Sequence, residues 1–285
     1  MSKRILVTGG AGFVGSHLCE RLANEGHQVI SLDNYEFGSK ANHIEGVEYR
    51  KGHTKDINLF VPERADLVFH LGEYSRVEIS LSEPERVWDL NKVGTFGVVE
   101  YWRQHKCKLV YAGSSTKFGD GGLGRIGSMY AWTKASNTEL IENYGRWYGL
   151  PYAVTYFYNV YGPRERPAGE YGTLIETFRR QHLANEPLTV VSPGIQQRNF
   201  THIDDIVDGL ILVGQKGHGD EYGLGSPESY TVSAVAQMFG GRVKWLPERA
   251  GNRMDADLDT SKSEAIGWSP KRRLEDYINT IIASA

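Results

Sequence analysis

The chain has 285 residues, a net charge of −3, 40% hydrophobic and 24% charged residues, which suits one large α/β unit or two closely joined domains with ample core. That balance gives no basic field for nucleic acid, and no apolar run approaches the ~20 residues that cross a bilayer. Two cysteines, Cys19 and Cys107, and nine scattered histidines form no metal spacing, so a cytoplasmic chain with reduced thiols, no metal and no membrane partner is expected.

Six short β-branched and apolar runs follow one another: RILVT (4–8), QVISLD (28–33), VEYRKG (47–52), DLVFHL (66–71), KLVYAG (108–113) and YAVTYF (152–157). Between them lie helical patterns: SHLCERLANEG (16–26), EPERVWDLNKVGTFGVVEYWRQH (83–105) and MYAWTKASNTELIENYGRWYG (129–149). This alternation, with nearly continuous apolar strands, predicts an α/β fold: a doubly wound parallel sheet covered on both faces, with right-handed crossovers. After about residue 162 the rhythm breaks. GPRERPAGEYG (162–172) is rich in Pro, Gly and charge, as an exposed connection is. The short segments beyond it suit a smaller α/β C-terminal lobe that carries the substrate. That lobe is discontinuous, because RNFTHIDDIVDGLILVG (198–214) is expected to return to the sheet. The expected division is 1–163 with 196–216 for the sheet domain, and 164–195 with 217–285 for the lobe.

Two stretches match G-x-G-x-x-G, GAGFVG at 10–15 and GLGRIG at 122–127. The first follows a strand, opens a helix that starts after Gly15 and ends at Gly26, and precedes a second strand ending in Asp33. Such glycines let a turn close tightly and let phosphate approach the backbone, while the helix N-terminus offers free N–H groups. A carboxylate at the end of the second strand suits a ribose and repels a 2′-phosphate, which favours NAD over NADP. This is the dinucleotide turn of a Rossmann-like domain. The second match follows no strand directly and leads to no strand ending in an acid. It is read as a mobile loop, either a plain surface connection or a lid that orders on substrate.

That loop lies between Ser114-Ser115-Thr116 and Tyr130-Ala131-Trp132-Thr133-Lys134. On a helix, positions i and i+4 share a face, so Tyr130 and Lys134 point together. An ammonium beside a phenol favours the phenolate, which can accept a proton from a substrate alcohol. Ser114, at the carboxyl end of a strand, is placed to hydrogen-bond the same oxygen.

TGGAGFVG, Asp33, the Ser-Ser strand end, YAWTK and the later NVYGPRE and RNFTHIDD together resemble the extended short-chain dehydrogenase/reductases, and more narrowly the NAD-dependent epimerase/dehydratase family acting on nucleotide sugars. The match runs in motif order from Lys3 to about Ile278. The resemblance implies that Gly9, Gly12 and Gly15 line the pyrophosphate with Phe13 and Val14. It places Asp33 and Asn34 at the adenosine ribose, and Leu71, Gly72 and Asn91 along the cofactor. Ser114, Tyr130 and Lys134 become the catalytic set, with Tyr130 and Lys134 also touching NAD and Lys134 holding the nicotinamide ribose. Ser75, Arg76, Ser115, Thr116, Asn159 and Arg198 become the substrate contacts, Arg198 by its bidentate fork.

Family dehydratases carry carboxylates just after the catalytic Ser or Thr, and several decarboxylases carry a Glu there. Here those positions are Ser115 and Thr116, which disfavours both reactions. Hydride transfer alone remains. The expectation is a nucleotide-sugar epimerase acting at C4 through a transient keto-sugar. A one-way C4 dehydrogenase or reductase is the alternative, and a non-catalytic NAD-binding protein is less favoured. The chain also departs from the family. Gly72-Glu73 stands where two alanines are usual, His53 and Asn199 where aspartates are common, and Tyr156 where an arginine is common. Glu73 is left to pair with Arg76, to meet a substrate group or to face solvent. Trp88, Tyr101, Trp102, Tyr144 and Trp147 lie on the two helices through which the family commonly dimerises, so a homodimer is implied beside core packing.

Overall fold

In the computed structural model, which describes residues 1–77, 79–166, 172–248 and 258–284, strand β1 (Arg4–Thr8) sets the pattern for everything around it. Ile5 and Val7 join one buried cluster and Leu6 the other, because successive side chains on a strand point to opposite faces. Helix α1 (Phe13–Asn24) follows, then β2 (Gln28–Asp33), β3 (Val47–Lys51), the single turn α2 (Ile57–Phe60), β4 (Leu67–His70) and the single turn α3 (Pro84–Val87). Next come α4 (Gly94–His105), β5 (Lys108–Ala112), α5 (Met129–Tyr148) and β6 (Tyr152–Phe157).

Most of the later elements are short: β7 (Val160–Tyr161), α6 (Leu174–Leu183), β8 (Leu188–Val191), β9 (Gln197–Asn199), β10 (Thr201–His202), α7 (Ile203–Lys216), β11 (Gly219–Leu224), β12 (Ser229–Thr231), α8 (Val232–Phe239), β13 (Val243–Leu246), α9 (Ser261–Ala265) and α10 (Leu274–Ala283). Seven strands form one sheet in the order β11-β6-β5-β4-β1-β2-β3, and every neighbouring pair in it is parallel. The order reverses between β1 and β4, which opens a crevice at their carboxyl ends.

The sheet is doubly wound. On one face Leu6, Val68, Leu109 and Val154 pack with Val98, Trp102 and Ile141 from α4 and α5. On the other, Val7, Phe69, Val110 and Ala153 pack with Leu18 from α1 and Ile206 and Leu210 from α7. Helix α7 thus packs on the sheet, whereas Arg198 and Asn199 pair with β12. A third apolar cluster gathers Ile175, Phe178, Val190, Phe200, Phe239 and Ile278, the core of the later segments. Stretches 167–171 and 249–257 of the expected lobe lie outside the described residues.

Four local expectations change. Helix α1 begins at Phe13, inside the glycine motif rather than after it. The helix expected over 83–105 is broken by a π-helical stretch, Trp88–Val93, a form often found beside functional sites. GLGRIG belongs to a run of 3-10 turns, Ser115–Ile126. Glycines there lack helix propensity, and 3-10 turns close with bonds only three residues apart. The expected exposed connection starting at 162 is also partly inside. Glu165 is buried, accepts from the Gly162 N–H at 2.9 Å and is bonded by the Thr173 hydroxyl. Burial pushes its carboxyl up to about 7.

Candidate active site

A cleft of about 640 Å³ opens at the carboxyl ends of β1, β4 and β5. Its floor is the glycine turn. Gly9 has φ +74°, and a Cβ there would stand 2.9 Å from the backbone of Gly72, so the ends of β1 and β4 touch. Gly12 ends the turn and no side chain caps α1. Gly12, whose N–H donates to Gly9 C=O at 3.0 Å, lines the cleft with the first-turn residues Phe13, Val14 and Gly15, whose N–H groups lie at the positive end of the helix dipole. This cradle of backbone, open where a Cβ would fill it, fits a pyrophosphate.

Asp33 closes the far end of the cleft. Its carboxylate accepts from Ala11 N–H at 3.0 Å and Tyr35 N–H at 2.7 Å. Burial raises its pKa, against those two hydrogen bonds. Asn34 lies beside it in the cleft wall. A dinucleotide ribose fits an acid held in this way.

The reactive end is built by β5 and α5. Ser128 caps α5 by accepting from Ala131 N–H at 3.1 Å, which fixes Tyr130 in the first turn and Lys134 one turn on. Both line the cleft opposite the glycine turn, with Ser114, Ser115 and Thr116 from the end of β5. The hydroxyls of Ser114 and Thr116 are 2.9 Å apart. Leu71, Gly72, Ser75, Arg76, Asn159 and Arg198 complete the walls among the residues expected from sequence. Burial lowers the pKa of Arg76. Asn159 is held at φ +36°, its amide donating to Asn199 C=O at 2.9 Å.

Asn91 is the exception. It stands fully buried behind the cleft, accepting from Tyr74 N–H at 2.7 Å and donating to the Thr133 hydroxyl at 3.0 Å. The π-helical stretch turns it toward α5, so it braces the wall rather than lining it. The unusual residues are also absorbed by structure. His53 caps a short turn by accepting from Lys55 N–H, and the Tyr156 hydroxyl donates to Asp220 at 2.6 Å.

Glu73 lines the cleft, yet its side chain is turned inward rather than to solvent. It is buried and paired with Lys134, whose ammonium also donates to Ala112 C=O. Its Oε1 accepts from Thr95 at 2.6 Å, Asn137 at 2.8 Å and Tyr111 at 3.2 Å. Desolvation would raise its carboxyl, but the charge of Lys134 and these hydrogen bonds outweigh that and hold it below the ordinary range. A carboxylate can only accept, so the Thr95 hydroxyl donates to it and accepts in turn from His70 Nε2 at 2.9 Å. His70 Nδ1 then accepts from the Thr8 hydroxyl at 2.7 Å, whose oxygen receives the N–H groups of Leu71 and Gly72. Burial pushes His70 down to about 4, in keeping with this neutral tautomer. One polar chain thus joins the glycine turn to Lys134. Sequence reasoning also missed Phe37, Tyr74 and Arg166 in the cleft wall. Only Arg166 carried a signal, a cation in a segment taken as exposed.

Residues 5–225 match the model of the NAD dependent epimerase/dehydratase family, and the chain belongs to that family, whose cofactor is NAD. It is 30% identical to an uncharacterized UDP-glucose epimerase of Bacillus subtilis, over 98% of this chain and 97% of that protein. It is 29% identical to UDP-glucuronic acid decarboxylase 1 of Xenopus tropicalis, over 98% of this chain and 71% of that one. In three dimensions it superposes on UDP-glucose 4-epimerase from Thermus thermophilus, solved in complex with NAD, with TM-score 0.89 and 28% identity over 98% of each chain. The chain is thus similar in sequence to sugar-nucleotide epimerases and decarboxylases, and in fold to sugar-nucleotide epimerases.

Proposed function

We propose that the chain is an NAD-dependent nucleotide-sugar epimerase acting at C4. The observation that carries the reading is the set of Ser114, Tyr130 and Lys134 across the cleft from the glycine turn, with Ser115 and Thr116 where a carboxylate acid or base would stand. Glu73 does not replace that carboxylate, because both its oxygens are committed inside the protein.

Tyr130 takes the proton of the sugar 4-hydroxyl as the C4 hydrogen leaves, and Ser114 holds the same oxygen. Lys134 binds the cofactor ribose and supports the charge on Tyr130. The keto-sugar then turns in the cleft, and Tyr130 returns its proton to the oxygen on the other face. The glycine turn and Asp33 would hold NAD, which would supply reversible hydride chemistry at C4. Gly12, Phe13, Val14 and Gly15 hold its pyrophosphate. Ser75, Arg76, Asn159 and Arg198 face the sugar nucleotide. UDP-hexoses are the first candidates, since the epimerases similar to this chain are named for them.

We also propose a homodimer through α4 and α5. Tyr101, Trp102 and Tyr144 are core residues, but Phe96, Trp132 and Trp147 are exposed, and Trp88 stacks on Trp132 at 6.1 Å.

The test is proton NMR of the protein with NAD and a panel of nucleotide sugars, wild type against Tyr130→Phe, with NADH absorbance followed in parallel. A new anomeric signal without NADH build-up, lost by about 10²–10⁴-fold in rate in the variant, supports the epimerase. NADH build-up or an accumulating keto-sugar assigns the dehydrogenase instead.

A further inference from the structure

We propose that Glu73 is the fixed counter-charge of Lys134 and thereby sets the pH range over which Tyr130 accepts a proton. It is a positioning residue that acts through the lysine, and the proposal rests on the reading of Tyr130 as the base.

Three observations carry it. Glu73 and Lys134 are paired with side chains only 3% and 6% exposed, so neither charge is screened by water and each is felt strongly by its neighbours. The carboxylate is fixed from three elements, by Thr95 of α4, Tyr111 of β5 and Asn137 of α5. Lys134 is fixed as well, by Glu73 and by Ala112 C=O, which leaves one of its three protons for the cofactor ribose or the phenol.

The charged and titratable groups around the pair are few. His70 of β4 is neutral by its hydrogen bonds. Tyr111 of β5 is a buried phenol whose ionisation Glu73 opposes. Lys92, on the π-helical stretch, feels the Glu73 charge from a distance. Arg76 is within electrostatic reach of Tyr130, and of Arg166 and Glu165 as well. Tyr130 stands one turn before Lys134 on α5 and both line the cleft, so the charge that reaches the phenol is that of the pair rather than of Lys134 alone. A lone ammonium one turn along the helix would favour the phenolate strongly; paired with Glu73, it favours it much less.

The experiment is a near-ultraviolet tyrosinate titration of the purified protein without nucleotide sugar. It is run on wild type, Glu73→Gln, Lys134→Met and the double variant, each subtracted from its Tyr130→Phe partner so that only Tyr130 is read. Glu73→Gln should lower the midpoint by about one pH unit, tenfold in proton affinity. Lys134→Met should raise it, and the double variant should return it close to wild type. A midpoint unmoved by Glu73→Gln, or a double variant that stays with Lys134→Met, overturns the proposal. If Glu73→Gln does not fold, Lys134→Met and the double variant decide: a midpoint raised in Lys134→Met and returned to wild type in the double variant supports the counter-charge, and equal midpoints in the two variants contradict it. A purely structural ion pair would change stability and leave these midpoints in place.

The titration needs no turnover. Should the midpoints move as stated while no sugar is epimerised, the counter-charge stands and the reaction assigned to the site falls. Should Tyr130 prove essential for turnover while Glu73→Gln leaves its midpoint in place, the reverse holds.

Discussion

The Cβ position of Gly15 falls on the carbonyl oxygen of Gly9, so the first turn of α1 rests directly on the end of β1. A methyl group there would also stand 2.8 Å from the Gly10 Cα, and all these neighbours are backbone, which cannot swing aside as a side chain would. Gly15→Ala should therefore open the turn that faces the cofactor pyrophosphate. NAD affinity should fall by at least about tenfold, ~1.4 kcal/mol, in calorimetric titration. Far-ultraviolet circular dichroism should show the sheet intact.

Asp33 is held by two backbone N–H groups and aimed into the cleft. Asp33→Asn keeps the shape and removes the charge. A hydrogen bond to a charged group is worth about 1.5–3 kcal/mol, so NAD should bind about 10–100-fold more weakly. NADP should lose less, because the repulsion of its 2′-phosphate goes too. Parallel titrations with the two nucleotides read the change in preference.

His70 links folding to pH. Its folded pKa, about 4, lies below the ordinary histidine value of 6.5, so the unfolded chain binds a proton that the folded chain refuses. Stability contributed by neutral His70 is full above about pH 6.5 and is lost as pH falls toward 4. The loss over that window is about 3 kcal/mol. His17, His105 and His202 are lowered in the same sense by burial, so the wild type should lose stability steeply on acidification. His70→Gln should flatten the slope by up to about 1.4 kcal/mol per pH unit, measured by urea unfolding between pH 7 and 5.

The exposed aromatic face of α4 and α5 gives the test of assembly. Light scattering should show twice the 31.9 kDa chain mass at micromolar concentration, and Phe96→Asp with Trp132→Asp should halve it. A wild type that stays at the chain mass defeats the dimer.

Five of the six expected strands were legible because each is a short apolar run on a buried parallel sheet, while β3, VEYRK, is a partly exposed edge strand. β11 was not: GDEYGL is half polar, as an edge strand can be. The π-helical stretch was hidden because WDLNKV reads as ordinary helix, and only the packing of Asn91 onto Tyr74 and Thr133 shows why the turn widens. In the site, the glycine turn, Asp33, Ser114, Tyr130 and Lys134 were visible because spacing ties each to one element. The Glu73–Lys134 pair was not, since its members are 61 residues apart and meet only across β4 and α5. Its one signal was a carboxylate standing where small apolar residues are usual. His70 and Thr95 gave no signal, because a buried polar chain depends on side-chain geometry that sequence periodicity does not encode.

The most direct test of the central claim uses a nucleotide sugar deuterated at C4, with the protein and catalytic NAD, followed by proton NMR and mass spectrometry. The account predicts both C4 epimers with the label kept at C4 in each, and no exchange with solvent. Loss of the label to solvent, or its accumulation in reduced cofactor while only one epimer or a ketone is present, would contradict a C4 epimerase.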